Sequence, residues 1–481
     1  MSVPVHRLHQ LRRAKALRSL FCDNTTPKSV VIDYSSPNIA KQFHIGNLRS
    51  TLIGRFIDQV QRMVGANVTS VNYVGDWGTQ FAMIAAYWPQ MKPSDQYWNS
   101  LGDLQKIKAL MDCYVVANRK FKSDEDFRLL VHEVFAKMEK SLSSDEICEE
   151  MKLWEDIRKI SKAHLNIFYR MFSVSFDSFI VLKNKKPQIA YEDNQRRCRI
   201  DLGDKNYFVI RKSNATSLYL TREVASIFHR DKIFKADRYL YVVDRSQQQH
   251  FDSLKEVITR LGKSDLAAKI EHIAYGRVHG LSTRQGKTEA VGEIVERGAE
   301  LAKEFMKSSR TFSVPEGEED QVANELSLSA IVYNELKRAR KSEYEFSFRN
   351  SFSLNQNNAL FLQIKHSRLC SIEKQNKEIL PHLESCQSFP TSDCDENVEK
   401  LVDLISTIDK AILDAAEKLE PCQLTMHLTQ LARAAGTVAA KLKVKDQPNE
   451  VAVPRLLLLS ASRNVLTEGI TLLGMKPLRN M

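Results

Sequence analysis

The residues best suited to hold a charged ligand lie at the start of a predicted helix. The segment His44-Ile45-Gly46-Asn47 follows the apolar run Val30-Val31-Ile32 and opens a stretch whose apolar residues recur every three to four positions. A strand, a turn containing glycine and a helix start form a phosphate site in open α/β folds, because N–H groups and the positive end of the helix dipole face the anion. A histidine–glycine pair alone is more often a structural turn, so its neighbours decide the interpretation.

Two further polar loops fit the same chemistry. Gly75-Asp76-Trp77-Gly78-Thr79-Gln80 follows the next predicted strand, Val68–Val74, so we expect it at the same edge of the sheet as the first loop. Gly280-Leu281-Ser282-Thr283-Arg284-Gln285-Gly286-Lys287 follows a third strand-like stretch, Ile273–Val278. Glycines and cationic residues suit this segment to a mobile loop over phosphates.

The elements that position these loops begin with a βαβ unit. Strands at Val30–Tyr34 and Val68–Val74, with a helix at Asn47–Met63 between them, predict a parallel sheet. Mixed charge and helical periodicity predict a helical insertion over 92–165, which returns to the sheet near Phe176-Asp177. Strand-like stretches recur at 206–211 and 238–243. Beyond about residue 290 the chain is predicted to be helical, with surface loops at 315–321 and 387–397 and helices at 411–419, 424–442 and 455–473.

Composition narrows the class of protein. A chain of 481 residues with 43% hydrophobic and 27% charged residues is expected to form two or three globular domains. We find no apolar run near the roughly 20 residues of a membrane helix. A net charge of +11 favours a polyanionic partner such as nucleic acid. Eight scattered cysteines without a CxxC pair indicate reduced thiols rather than a zinc site or disulfides.

The first 27 residues form a basic segment with two interpretations. Five arginines and lysines, no acidic residue before position 23 and leucines at helical spacing resemble a mitochondrial presequence, which is the interpretation we favour. The alternative is a basic helix that contacts a nucleic-acid phosphate or caps the domain.

In combination, these blocks resemble the arginine–tRNA ligase family of class I aminoacyl-tRNA synthetases. Residues 35–51, SSPNIAKQFHIGNLRST, are similar to the sequence around the family's HIGH motif, and 72–81, 154–161, 217–223 and 280–286 follow in the family order. Residues 361–371 and 456–481 resemble the family's helical anticodon-binding domain. The similarity spans roughly residues 28–481.

This resemblance implies an organisation and a set of partners. It implies a Rossmann-like α/β catalytic domain over 28–290, a helical stem over 291–355 and an all-α anticodon-binding domain over 356–481. The implied substrates are ATP with Mg²⁺, L-arginine and tRNA(Arg), with tRNA required in the first step. The protein is expected to be a monomer without a membrane partner or a metal ligand set of its own. We expect the mitochondrial matrix, with the cytoplasm as the alternative.

The resemblance also assigns residues to ATP. Activation of arginine places negative charge on the transferring phosphate, which positioned donors and cations stabilise. The implied residues are Lys41, His44, Gly46 and Asn47 at the helix start, and Ser282, Thr283, Arg284 and Lys287 in the later loop.

A second implied set binds arginine, whose guanidinium is a planar array of donors that suits carboxylates. These residues are Asp33, Ser36, Pro37, Asn38, Asn47, Tyr219, Glu223 and Gln247. Our hypothesis is that Asp33 and Glu223 jointly bind the guanidinium and amino groups. The alternative is that either acid pairs with a protein arginine such as Arg222 or Arg245.

Three departures from the family qualify this assignment. Asn47 replaces the final histidine of HIGH, and Asp33 and Glu223 exchange the family's usual Glu and Asp. Only about 35 residues precede the Ser-Pro-Asn block, so either the family's N-terminal domain is absent from the protein or the sequence is incomplete. If the domain is absent, we expect tRNA selection to depend on the helical domain and the acceptor stem, and little on the D-loop. The competing functions are a synthetase for another amino acid, such as cysteine, and a catalytically impaired paralogue that binds tRNA.

Overall fold

The chain divides into two compact units, each discontinuous in sequence. The computed structural model describes residues 3–21, 28–38, 40, 43–73, 75, 77–143, 147–180, 191–192, 198–203, 206–211, 219–279, 290–308, 314–345 and 357–481. The sheet unit comprises Ser29–Leu48 and Thr69–Ala274, and the helical unit comprises Met1–Lys28, Arg49–Val68 and Tyr275–Met481.

The strands, in chain order, are β1 Ser29–Asp33, β2 Asn67–Tyr73, β3 Ser178–Ile180, β4 Tyr191–Glu192, β5 Cys198–Gly203, β6 Asn206–Arg211, β7 Arg238–Asp244, β8 Ile270–Tyr275, β9 Val278–His279 and β10 Tyr344–Glu345. The helices are α1 Val5–Arg12, α2 Ala16–Ser19, α3 Ile45–Met63, α4 Thr79–Met91, α5 Asp95–Ser100, α6 Asp103–Ser123, α7 Glu125–Ser143, α8 Glu149–Met171, α9 Tyr219–Phe234, α10 Gln248–Arg260, α11 Ser264–Lys269, α12 Val291–Ser308, α13 Glu319–Leu336, α14 Ala359–Gln375, α15 Glu396–Ser406, α16 Ile408–Lys418, α17 Pro421–Lys441 and α18 Asn449–Leu473.

The central sheet has the strand order β3-β2-β1-β7-β8. β1 runs parallel to β7, with Val30 opposite Arg238, and β2 runs parallel to β3, with Val71 opposite Ser178. After β1 the chain adds β2 and β3 on one side, and it later adds β7 and β8 on the other side. The direction in which strands are added therefore reverses beside β1. In open α/β sheets a ligand binds outside the carboxyl ends of the strands at such a reversal.

The predicted strands and helices of the sheet unit are largely confirmed. α10 buries Phe251, Leu254 and Val257, which lie at helical spacing in the same core as Val31 of β1. The helical insertion is also confirmed, although it extends from α4 to α8 and has its own core around Trp154.

One strand prediction matches the structure in its bounds, and another is displaced along the chain. Residues 206–211 form the predicted strand, β6, which pairs antiparallel with β5 in a separate three-stranded sheet. Periodicity in a six-residue segment does not specify its pairing partner. The predicted strand 273–278 is instead β8, which begins at Ile270, followed by the short β9. The helical region after residue 290 also contains β10, which pairs parallel with β9.

The helical unit contains the predicted C-terminal helices α16, α17 and α18. Side chains cap the amino ends of two helices in this unit. Asn358 accepts from the Phe361 N–H at 2.9 Å at the start of α14, and Asp395 accepts from the Val398 N–H at 3.0 Å at the start of α15. α18 is long and apolar enough to span a bilayer by length and composition, and 78% of its apolar window is buried inside the protein.

The N-terminal segment forms helices, as predicted, and packs into the helical unit. Leu8, Leu11 and Leu17 are fully buried. The Asn464 side chain in α18 donates to the carbonyls of Leu11 at 2.8 Å and Arg13 at 2.7 Å. The Glu468 carboxylate accepts from the N–H groups of Ala16 and Leu17 at 2.9 and 3.0 Å. This packing agrees with the alternative interpretation, in which the segment caps the domain, and the presequence stays a prediction.

If residues 3–21 belong to the folded unit, Leu11→Ala should destabilise it. The substitution removes a fully buried side chain and leaves a cavity against α18, so we expect a loss of about 2 to 5 kcal/mol in the free energy of unfolding, measured by urea denaturation. Leu413→Ala is the matched control, because Leu413 is 48% exposed in α16 of the same unit. Equal, small losses in both variants would contradict the assignment.

Candidate active site

The site is organised around a buried ion pair at the carboxyl end of β1. Arg230 of α9 donates from Nη2 to Oδ2 of Asp33 at 2.6 Å, and the two side chains are 1% and 8% exposed. The guanidinium carbon lies 5.1 Å from the centroid of the Tyr241 ring. Burial lowers the pKa of Arg230, but Tyr241, Asp33 and Glu223 together raise it further than burial lowers it, so this cation is permanent.

The partner of Asp33 is therefore a protein arginine, as the alternative hypothesis stated, but it is neither Arg222 nor Arg245. The second oxygen of Asp33 is also engaged, since Ser36 Oγ donates to Oδ1 at 2.5 Å. Both carboxylate oxygens are thus satisfied within the protein.

Glu223 is the second buried acid at this edge. It lies one turn into α9, is 5% exposed, and has its pKa raised to about 7. Burial is the main cause and the negative charge of Asp33 adds to it, whereas Arg230 and Arg222 act in the opposite direction. A carboxyl with this pKa is partly protonated at neutral pH. Binding of a cation beside it favours loss of the remaining proton, so that the carboxylate becomes fully charged.

The Ser-Pro-Asn segment contacts the second polar loop, which confirms that the two loops meet at one edge. Ser36 Oγ accepts from the Tyr73 N–H at 3.0 Å, and the Pro37 carbonyl accepts from the Gly75 N–H at 3.0 Å. A Cβ at residue 75 would overlap the side-chain oxygen of Asn38, so this close approach requires glycine.

The start of α3 is the predicted anion site. The ring Nδ1 of His44 accepts from the Gly46 N–H at 3.1 Å, so a neutral ring carries its proton on Nε2. Glycine is needed at 46 because a Cβ there would lie 3.0 Å from the His44 ring.

Asn47 has a clear local role in this helix start. Its Oδ1 accepts from the His44 N–H at 3.3 Å, while the His44 carbonyl accepts from the Asn47 N–H at 2.9 Å. The bond to Asn47 Oδ1 is one half of a capping box, in which the third helical residue satisfies the N–H of the capping residue, while the His44 ring caps the Gly46 N–H instead of that of Asn47. Asparagine in place of the family histidine therefore stabilises the start of the helix by accepting from the His44 N–H.

Several predicted site residues lie outside the described part of the chain: Lys41, Ser282, Thr283, Arg284 and Lys287. Tyr219 begins α9, but its side chain also lies outside the description. Gln247 is exposed at the end of a 3₁₀ turn that follows β7.

The described residues that precede the predicted loop 280–287 belong to the helical unit, where a buried arginine holds them. Arg49 of α3 is 1% exposed, pairs through Nε with Glu335 Oε1 at 2.8 Å and donates to the carbonyls of Arg340 and Ser342 at 3.0 and 2.9 Å. The Gly276 N–H donates to the same Arg340 carbonyl at 2.9 Å. Arg49 thereby fixes the turn against which Gly276 packs, just before β9.

The helical unit contains a separate polar cavity of about 620 Å³. Its lining includes the cations Lys337, Lys400 and Arg433 and several amide and hydroxyl side chains, with no acidic residue among the described lining residues. Burial, with a smaller effect from Arg338, lowers the pKa of Lys337 to about 8. Such a lining suits a polyanion, because its phosphates can pair with the lysine and arginine side chains and its other polar groups can form hydrogen bonds with the amide side chains.

Two buried arginines of these units, Arg230 and Arg49, were not predicted from the sequence, and the reason is the same for both. Arg230 and Arg49 stand in ordinary amphipathic helices, and their partners are 197 and 286 residues away in the chain, so no local pattern marks them. Among the described residues, no group of three or more His, Cys, Asp or Glu side chains is placed to hold a metal ion.

A parallel-sheet α/β region followed by a helical C-terminal region is the organisation of the class I aminoacyl-tRNA synthetases. Residues 14–348 match the family profile described as tRNA synthetases class I (R), catalytic domain, and residues 362–481 match the DALR anticodon binding domain. The chain therefore belongs to the arginine–tRNA ligase family and is an aminoacyl-tRNA ligase.

Relatives of known name agree with this assignment. The arginine–tRNA ligase of Encephalitozoon cuniculi is 31% identical over 96% of this chain and 82% of its own length. A probable mitochondrial arginine–tRNA ligase of Mus musculus is 28% identical over 97% of this chain and 80% of its own length. The structure of Thermus thermophilus arginyl-tRNA synthetase has the same fold, with a TM-score of 0.78, 19% identity, and coverage of 99% of this chain and 86% of that one.

Removing the cation of the buried pair should be costly. Arg230→Leu leaves the Asp33 carboxylate buried and unpaired, so we expect about 3 to 5 kcal/mol less stability in chemical denaturation. Arg238→Leu, which breaks the half-exposed pair with Glu271 in the same sheet, should lose only about 1 kcal/mol or less. Similar losses in the two variants would show that the buried pair does not have this structural role.

Proposed function

We propose that the chain joins arginine to tRNA(Arg) in two steps, the first of which consumes ATP, at the carboxyl edge of the central sheet. The observation that carries the proposal is the buried, partly protonated Glu223 beside the Asp33–Arg230 pair. A carboxyl held in this state is suited to a ligand that brings its own delocalised positive charge, as the arginine side chain does.

In the first step the arginine carboxylate attacks the α-phosphorus of ATP, and pyrophosphate leaves. We propose that the dipole of α3 stabilises the charge on the phosphate oxygens, since the N–H groups of Gly46, Asn47 and Leu48 already bond to His44, and that His44 donates from Nε2. We propose that Lys41, Ser282, Thr283, Arg284 and Lys287 supply further donors and cations. Mg²⁺ enters as part of the substrate, bound to the ATP phosphates.

Arginine recognition divides between two acids with different roles. Glu223 accepts hydrogen bonds from the substrate guanidinium, whereas Asp33, which already holds Arg230 and Ser36, positions the pocket and does not contact the substrate side chain. Ser36, Pro37 and Asn38 form the wall that their contacts with the second loop hold in place. We assign Tyr219, Gln247 and Asn47 to the remaining polar groups of arginine.

In the second step the arginyl group passes to the 2′-hydroxyl of the terminal adenosine of the tRNA, and AMP leaves. We propose that the cavity with Lys337, Lys400 and Arg433 binds part of the tRNA, because its lining is cationic and rich in amides. The net charge of +11 makes this binding salt-sensitive.

The compartment and assembly complete the proposal. We infer a monomer in the mitochondrial matrix, supported by the name of the mouse relative. The N-terminal helices do not support this location, because their apolar side chains are buried in the helical unit. Cell fractionation with an antibody against the chain separates the matrix from the cytoplasm.

The pH dependence of arginine use tests the role of Glu223. A proton competes with the guanidinium for a carboxylate whose pKa is about 7, so the KM for arginine should fall about tenfold between pH 6 and pH 8 in arginylation assays with ATP and matched tRNA. Glu223→Gln should raise that KM by about 10- to 100-fold and remove its pH dependence, because a charge-assisted hydrogen bond is lost.

Glu271→Gln is the control, since Glu271 is a half-exposed carboxylate of the same sheet paired with Arg238. Unchanged arginine KM in the Glu223 variant would reject the assigned role. An intact protein that binds tRNA but does not arginylate it would instead identify the impaired paralogue.

The pH dependence of tRNA binding tests the cavity. Lys337 has a pKa of about 8, so it is charged at pH 7 and largely neutral at pH 9, and tRNA affinity should fall several-fold across this interval at fixed salt. Lys337→Arg keeps the charge at both pH values and should abolish most of the change. A filter-binding series in which both proteins lose affinity equally would contradict this assignment.

A further inference from the structure

We propose that Tyr169, near the end of the insertion helix α8, is a positioning residue of the arginine pocket that holds the backbone turn at Ser35 and Ser36. The inference rests on the proposed function of the pocket. It gives the helical insertion a direct part in the organisation of the site.

The contact is a buried chain of three polar groups. The Asn72 side-chain N–H donates to the Tyr169 hydroxyl at 2.8 Å, and that hydroxyl shares a second hydrogen bond with Ser35 Oγ at 2.9 Å. Tyr169, Asn72 and Ser35 are 3%, 0% and 7% exposed. Burial is the main cause that raises the pKa of Tyr169 to about 12, so the hydroxyl keeps its proton at any working pH.

The turn that Tyr169 holds is conformationally unusual. Ser35 and Ser36 have φ values of 68° and 39°, in the left-handed region that residues with a Cβ rarely adopt. Such backbone persists only where surrounding contacts impose it. The conformation matters because it brings Ser36 Oγ within hydrogen-bonding distance of both Asp33 and the Tyr73 N–H.

A second contact from α8 supports the far end of the same segment. Ser161 Oγ, two turns earlier in the helix, accepts from the Ala40 N–H at 3.1 Å, and Ala40 also has a positive φ of 55°. The Tyr169 ring is held between Phe176 and Phe43, whose centroids lie at 5.1 and 6.0 Å in edge-on arrangements. The helix thus supports the segment at both ends.

The test uses Tyr169→Phe, which removes only the hydroxyl. We expect the KM for arginine to rise about tenfold, with the KM for ATP changed less than twofold, because Ser36 is displaced while the start of α3 is not. Tyr239→Phe is the matched control: its buried hydroxyl also makes two hydrogen bonds, with Ala236 and Asp231, but at the amino end of β7. A rise in both KM values, or one no larger than in the control, would overturn the proposal.

A double variant and a structural measurement complete the test. Since Tyr169 acts through Ser35, the double variant Tyr169→Phe, Ser35→Ala should have an arginine KM no higher than that of the more affected single variant. If the fold-increases in KM of the two single variants multiply in the double variant, the proposal is overturned. Amide hydrogen exchange across residues 34–40 should be faster in Tyr169→Phe than in Tyr239→Phe. Equal exchange rates in the two variants would refute the positioning role. A wild-type chain that does not arginylate tRNA would refute the proposed function, and the exchange measurement does not depend on that activity.

Discussion

The buried pair of Asp33 and Arg230 is the interaction on which the rest of the site depends. Two charges removed from water are tolerated only if their remaining donors and acceptors are satisfied. That requirement places Ser36 Oγ on the second oxygen of Asp33, and Ser36 in turn receives the Tyr73 N–H. One electrostatic constraint therefore joins the ends of β1 and β2 with α9, and so sets the shape of the pocket.

The same pair explains why two acids close together behave differently. Asp33 has a resident cation, whereas Glu223 lies in a buried position whose neighbouring charges partly cancel. The protein thus keeps one carboxyl permanently engaged and holds the other near its titration point. In a site for a cationic side chain, this arrangement separates the residue that builds the pocket from the residue that responds to the ligand.

Much of the fold could be predicted from local pattern, and the limits of that prediction have physical causes. The βαβ unit and the helices at 411–419, 424–442 and 455–473 have clear periodicity, which reports the buried face of each element. The partner of Asp33 could not be predicted, because pairing with Arg230 depends on a contact across 197 residues. The residues at 5–20 show the opposite problem: leucines on a basic helix have the same spacing whether the helix is a leader or is packed into a core.

The unusual turn at Ser35 and Ser36 has a consequence for the stability of this chain. Backbone in the left-handed region costs of order 1 to 3 kcal/mol at each non-glycine residue, and the rest of the sheet unit must supply that stability. Glycine at position 35 would relieve part of this strain, yet it would remove the hydroxyl that Tyr169 holds. Stability alone would therefore favour glycine there, whereas serine costs stability and supplies the hydroxyl that holds the proposed pocket in shape.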